Sequence, residues 1–163
     1  MSTETATLGG GCFWCLEAVY EQVDGVVAVE SGYSNGHVVD PRYEQVCHGD
    51  TGHAEVVRVR FDPARITLAE ILAIFFAVHD PTTRNRQGAD VGTQYRSAIF
   101  FHTDAQRKAA IASKERFDRS GVFPQKAVTE ILPAGEFFPA EEYHQDFYDK
   151  HPDKPRCHCL RDR

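Results

Sequence analysis

The chain has 163 residues, of which 42% are hydrophobic and 26% charged, and its formal net charge is −6. These values suit one catalytic-sized domain over residues 1–150 with a tail over 151–163, and the acidic balance disfavours a nucleic-acid or anionic-membrane surface. No segment is apolar for long enough to span a bilayer, no secretory leader opens the chain, and an odd count of five cysteines speaks against a secreted disulfide framework, so a reducing cytoplasm is expected.

In chain order, residues 5–8 read as a short strand, and Gly9, Gly10 and Gly11 allow a tight turn into a helix over 13–23. A strand over 26–33 precedes a long polar loop, 34–53, and "AEVVRVRFD" alternates as a second strand. Thr67 with Glu70 three residues later forms a capping box that opens the helix "ILAIFFAVH", which ends before Pro81. Another irregular polar segment, 80–94, leads to the strand "YRSAIFF", a helix over 104–120, a strand near 127–132 and a last short helix over 140–150. The elements interleave without regular βαβ spacing. The expected fold is therefore α+β, a two-layer sandwich of a mixed, mostly antiparallel sheet with flanking helices and two long loops of functional composition.

Cys12 follows the glycine turn at the start of a helix, where backbone N–H groups and the helix dipole favour a thiolate. The alternative is a buried structural cysteine. Cys15 completes a C-x-x-C with Cys12, a spacing that serves both redox exchange and half of a zinc site. Three readings follow from the residues alone: a nucleophilic thiol, a general C-x-x-C disulfide oxidoreductase, or a structural zinc module that adds Cys157, His158 or Cys159 from the tail.

Four runs taken together go further. "GGCFWCLEA", "PRYEQVCHGDTGHAEVV", "HDPTTRNRQGADVGTQYRSAIF" and "AEEYHQDFY" resemble, in order and spacing, the A-type peptide methionine sulfoxide reductases over roughly residues 6–150. The resemblance implies that Cys12 is the nucleophile, that Phe13 and Trp14 cage the substrate's S-methyl group, and that Glu55 supplies a proton. It further implies that Tyr43 and Tyr95 hold the sulfoxide oxygen, that Asp90 is a further acidic residue of the site, and that the S epimer is the substrate. Free and protein-bound methionine sulfoxide are the expected substrates. Neither a cofactor nor a metal is expected, and an external thiol, thioredoxin or dithiothreitol, supplies the electrons.

The chemistry agrees with these roles. A thiolate can attack a sulfoxide sulfur, but the oxygen leaves only when protonated, and Glu55 can protonate it only if burial raises its pKa. Tyrosine hydroxyls aimed at that oxygen would stabilise its growing charge. The product on Cys12 is a sulfenic acid, which a second thiol must condense with before a dithiol can reduce the resulting disulfide.

The resemblance places the resolving thiol at Cys157, with Cys159 as a relay. The tail "HPDKPRCHCLRDR" nevertheless lacks the family's glycines, and Cys15 stands where many members have glycine, so direct closure from Cys15 is a competing route. Cys47 reads as a packed structural thiol. His53, His79 and His144 read as structural hydrogen-bonding groups.

Overall fold

The computed structural model describes residues 2–151. Its main sheet has six strands: β1 (Glu4–Gly9), β2 (Val26–Ser34), β3 (Ala54–Phe61), β6 (Ala98–Phe101), β7 (Glu130–Pro133) and β8 (Phe137–Pro139). They lie in the order β7-β6-β1-β3-β2-β8, with β6 and β7 parallel and every other neighbouring pair antiparallel. The mixed, mostly antiparallel α+β arrangement is the one expected.

Alternation along β3 sorts its side chains between two faces. Val57, Val59 and Phe61 join the main core with Leu16 and Tyr20 of helix α1 (Phe13–Glu21), Ile71 and Phe75 of α3 (Leu68–Val78), and Phe117 of α4 (Asp104–Ser120). Each large apolar side chain fully buried this way stabilises the fold by roughly 1.5–3 kcal/mol. Tyr20 adds a polar atom to that core and satisfies it, donating its hydroxyl to the Ile71 carbonyl at 2.9 Å. On the opposite face, Ala54, Val56, Ala98 and Phe100 form a smaller cluster against Ala134 and Phe137.

The Thr67–Glu70 cap read from the sequence forms as expected, and a second cap, at Thr103, appears in the structure. Thr67 accepts from the Glu70 amide at 3.1 Å while Glu70 accepts from the Thr67 amide at 3.1 Å, and Thr103 caps α4 by accepting from Gln106. Gly11 has φ of +87°, a backbone state that costs glycine little, and it turns the chain from β1 into α1.

Four local readings change. The 34–53 loop contains a short helix, α2 (Tyr43–Cys47), whose first turn is held by the Gln45 side chain accepting from the Arg42 amide at 2.8 Å. The 80–94 segment contains a small hairpin, β4 (Arg86–Gln87) with β5 (Asp90–Val91), anchored by Gln87 bridging the Asp80 amide and carbonyl at 2.9 Å each. Strand β8 forms in a stretch rich in Gly and Pro, because a sheet edge tolerates Pro139 and Gly32 leaves room for the Phe137 ring.

The helix expected over 140–150 shortens to α5 (Phe147–Lys150), preceded by a 3-10 turn at Glu142–His144. The cause is tertiary. Glu141 accepts from the Tyr33 hydroxyl and the Tyr43 amide at 3.0 Å each, and Gln145 pairs with both backbone groups of Ser31 at 3.0 and 2.9 Å. These bonds pin the segment to the β2 edge and override helix propensity.

Candidate active site

Cys12 is the N-cap of α1 and a partly exposed, free thiol. Burial, and next the Glu55 carboxylate, push its pKa up to about 12; the amides of Trp14 and Cys15 pull the other way, and Asp90 adds to the rise. The helix start thus acts in the expected direction but is outweighed. At rest Cys12 carries its proton, although the helix start alone favours the thiolate.

Glu55 lies on the face of β3 shared with Val57 and Val59, pointing beneath the start of α1. It is only 1% exposed. One oxygen, Oε1, accepts the Phe13 amide at 3.2 Å, and the other, Oε2, has no hydrogen-bond partner. Burial raises its pKa to about 8, with the Phe13 amide opposing and Asp90 assisting. The acid therefore remains largely protonated at neutral pH. Protonated, it no longer repels a charge on Cys12.

Tyr43 opens α2 and Tyr95 ends the 3-10 turn Thr93–Tyr95. Burial first, then the Cys47 side chain and Glu55, raise the Tyr43 pKa; burial, then Glu55 and Asp90, raise that of Tyr95. Both phenols stay donors. Asp90, on β5, acts on Cys12, Glu55 and Tyr95 through its charge, so the structure brings all five expected polar residues into one electrostatic cluster. Cys47 belongs beside them: it is exposed and free rather than packed, at the end of α2 next to Tyr43.

The apolar side is built on Trp14, stacked on Phe147 at 3.7 Å and 6° and facing Tyr43 at 6.5 Å. The Trp14 indole N–H donates to His144 Nδ1 at 2.9 Å. An accepting Nδ1 requires a neutral imidazole, and burial lowers the His144 pKa accordingly. Phe13 is fully buried and supports this wall from behind, 5.2 Å from the His144 ring and 5.6 Å from Tyr33. Of the two expected cage residues, Trp14 faces outward and Phe13 inward.

The sequence reading gives Glu141 and Phe147 no role and His144 only a structural one, although all three lie in the singled-out "AEEYHQDFY" run. Their signal was the run itself; their function depends on contacts with Tyr43 and Trp14, roughly a hundred residues away or more. His53 and His79 are buried and hydrogen-bonded, as expected of structural histidines. Cys15 is buried, its sulfur 3.5 Å from the Tyr148 hydroxyl. Cys157 and Cys159 lie outside the described residues.

Disulfide exchange needs no proton donor of this kind. A buried, protonated acid next to a thiol suits a substrate whose oxygen must be protonated as the thiol attacks its neighbour. The fold and site thus define a thiol-dependent oxidoreductase.

The chain matches the peptide methionine sulfoxide reductase family over residues 4–163. It is 55% identical to the peptide methionine sulfoxide reductase MsrA of Sulfolobus acidocaldarius over 98% of this chain and 89% of that one. Identity to the MsrA of Thermus thermophilus is 49%, over 98% of this chain and 90% of the relative. Among solved structures, reduced Mxr1 from Saccharomyces cerevisiae superposes with a TM-score of 0.92 at 42% identity, covering 98% and 93% of the two chains. Mxr1 has also been solved in complex with Trx2, matching at a TM-score of 0.67 and 29% identity over 98% and 91%. The chain belongs to the peptide methionine sulfoxide reductase family, A type, and is an oxidoreductase that reduces methionine sulfoxide at the expense of thiols.

Proposed function

We propose that Cys12 attacks the sulfur of methionine-S-sulfoxide while Glu55 protonates its oxygen. The observation that carries this reading is the Glu55 carboxyl: buried, bonded to the Phe13 amide through one oxygen, with the other unpartnered and the pKa raised to about 8. As Glu55 gives up its proton to the substrate oxygen, the resulting carboxylate takes the proton of Cys12. The Cys12 sulfur bonds to the substrate sulfur as its oxygen is protonated; the hydroxyl then passes to the Cys12 sulfur as the substrate's S–O bond and the new S–S bond break, and methionine leaves with Cys12 as its sulfenic acid. The Glu55 proton ends on the transferred oxygen and the thiol proton on Glu55, so the step leaves no net charge in a poorly solvated pocket.

Tyr43 and Tyr95 donate to the oxygen as charge grows on it. Trp14 presents the apolar surface to the S-methyl group, held in place by Phe147 and His144 and backed by Phe13. Asp90 biases the local field toward protonated neighbours. Residues 1–150 form the catalytic domain, and the tail over 151–163 brings the recycling thiols.

Condensation of the Cys12 sulfenic acid with Cys157 releases water and leaves a disulfide, which Cys159 relays and thioredoxin reduces; Cys15 is the alternative resolver. The Trx2 complex of Mxr1 supports thioredoxin as the reductant. The thiols carry the electrons without a cofactor. A cytoplasmic setting is supported by that thiol chemistry, and among the described residues no helix is long and apolar enough to cross a membrane.

The test is methionine formed per enzyme in the absence of reductant, with mass spectrometry of the trapped product. One or two equivalents with an oxidised Cys12 are expected. Formation of methionine by Cys12→Ser would overturn the assignment.

A further inference from the structure

One turn beyond Phe13 on α1, Glu17 meets the segment that leads into α5. There one carboxylate oxygen from each of Glu17, Glu21 and Asp146 lies within 4.8 Å of the other two. Among the described residues, no lysine or arginine pairs with any of the three. Three acids this close repel one another unless protons or a cation intervene.

A second, independent observation concerns Glu17 alone. It is 1% exposed, and its Oε2 has no hydrogen-bond partner. An acid at that depth is normally satisfied or replaced. Its neighbours are arranged around a charge: the amides of Asp146 and Phe147 face it, while Glu21 and Asp146 complete the ring from the solvent side. Asp146 holds φ of +54°, a backbone state uncommon outside glycine, which brings its own carboxylate into the group.

We propose that Glu17, Glu21 and Asp146 bind one hard divalent cation, best matched by calcium, at the junction of α1 and α5. The donor set is purely carboxylate oxygen, which selects against zinc and copper and for calcium, magnesium or manganese. Oxygens that bind calcium at about 2.3–2.6 Å sit up to roughly 5 Å apart across the ion, whereas magnesium, at about 2.0–2.1 Å, requires a tighter set. Oxygens all within 4.8 Å of one another can span calcium, and calcium's flexible coordination suits an irregular carboxylate set better than magnesium's near-ideal octahedron. Glu17 supplies the buried ligand, and Glu21 and Asp146 the accessible ones through which the ion enters, with water filling the remaining positions. A cation there ties α1 to the residue before Phe147, and so holds Phe147 against Trp14.

The experiment is isothermal titration of the full-length, metal-stripped chain with calcium chloride and separately with magnesium chloride at pH 8.5, paired with thermal unfolding. Expected is one saturable calcium site per chain, tighter than for magnesium, and a calcium-dependent rise in the unfolding midpoint of roughly 5 °C near saturation. Asp146→Asn, which keeps the left-handed backbone accessible, and Glu21→Gln, on an exposed helix position, should each weaken calcium binding at least tenfold, while Glu142→Gln should leave it unchanged. Circular dichroism verifies that the variants fold. Absence of a saturable site for both ions, or equal calcium binding in the parent, Asp146→Asn and Glu21→Gln, overturns the proposal and leaves the cluster as acids that share protons.

Discussion

Two buried carboxyls at α1, Glu55 beneath its start and Glu17 one turn on, share several traits. Each is 1% exposed, each keeps an Oε2 without a hydrogen-bond partner, and each has a raised pKa, about 8 and about 7 respectively. They differ in company. Around Glu55 burial dominates and Asp90 is the single charge that adds to it, with a thiol and two phenols as neighbours. Around Glu17 burial is followed by Asp146, and Glu21 is raised to about 8 by burial together with Asp146, Glu17 and Asp149. A solitary buried acid keeps one proton and can deliver it. Clustered acids compete for protons, and their collective charge becomes the property that matters.

The largest test of that contrast lies on the Glu55 side. Cys12→Ser should abolish sulfoxide reduction, whereas Cys157→Ser should spare the first turnover and block cycling with thioredoxin; normal cycling in Cys157→Ser would move the resolving role to Cys15 or Cys159. Glu55→Gln should slow the chemical step by about 10²–10³-fold, within the usual range for losing a general acid. The parent's single-turnover rate should fall as pH rises through about 8, where Glu55 loses its proton. That inflection should be missing in the Gln variant, and a pH profile left unchanged by the substitution would remove Glu55 as the donor.

Smaller effects are expected one contact further out. Tyr43→Phe and Tyr95→Phe should each cost on the order of ten- to a hundredfold in the same single-turnover rate, since each removes one donor to the oxygen. A change confined to KM would reassign them to ground-state binding. On the Glu17 side the effect is on stability. With chelator present, Glu21→Gln should raise the unfolding midpoint by about 1–2 °C at pH 9, where all the acids are charged, and leave it nearly unaltered at pH 5. The reverse order would show that repulsion does not govern this cluster.

Much of the Glu55 side was legible in the sequence. The glycine turn, the thiol at a helix start and the alternation of β3 are local patterns, and four motifs in order named the residues that the structure gathers around Cys12. What those patterns could not supply was the balance of opposing terms at Cys12, where helix amides lose to burial. The five-residue α2 is too short to show a period, and β8 forms only because the β2 edge is there to receive it. The Glu17 side was not legible, because residues 17, 21 and 146 meet only once Glu141 and Gln145 have fastened the late segment to Tyr43 and Ser31.

The unpartnered oxygen of Glu55 also sets a trade between durability and work. Its pKa in the folded chain is raised from about 4.5 to about 8, so the folded state holds that proton more tightly than the unfolded state does. Its contribution to stability is complete below the unfolded value and is lost as pH climbs through the folded one. Near neutrality and above, the chain is therefore less robust than a version with an uncharged amide at this position would be. Selection for heat tolerance or alkaline endurance alone would favour glutamine at residue 55 and would erase the reaction in doing so.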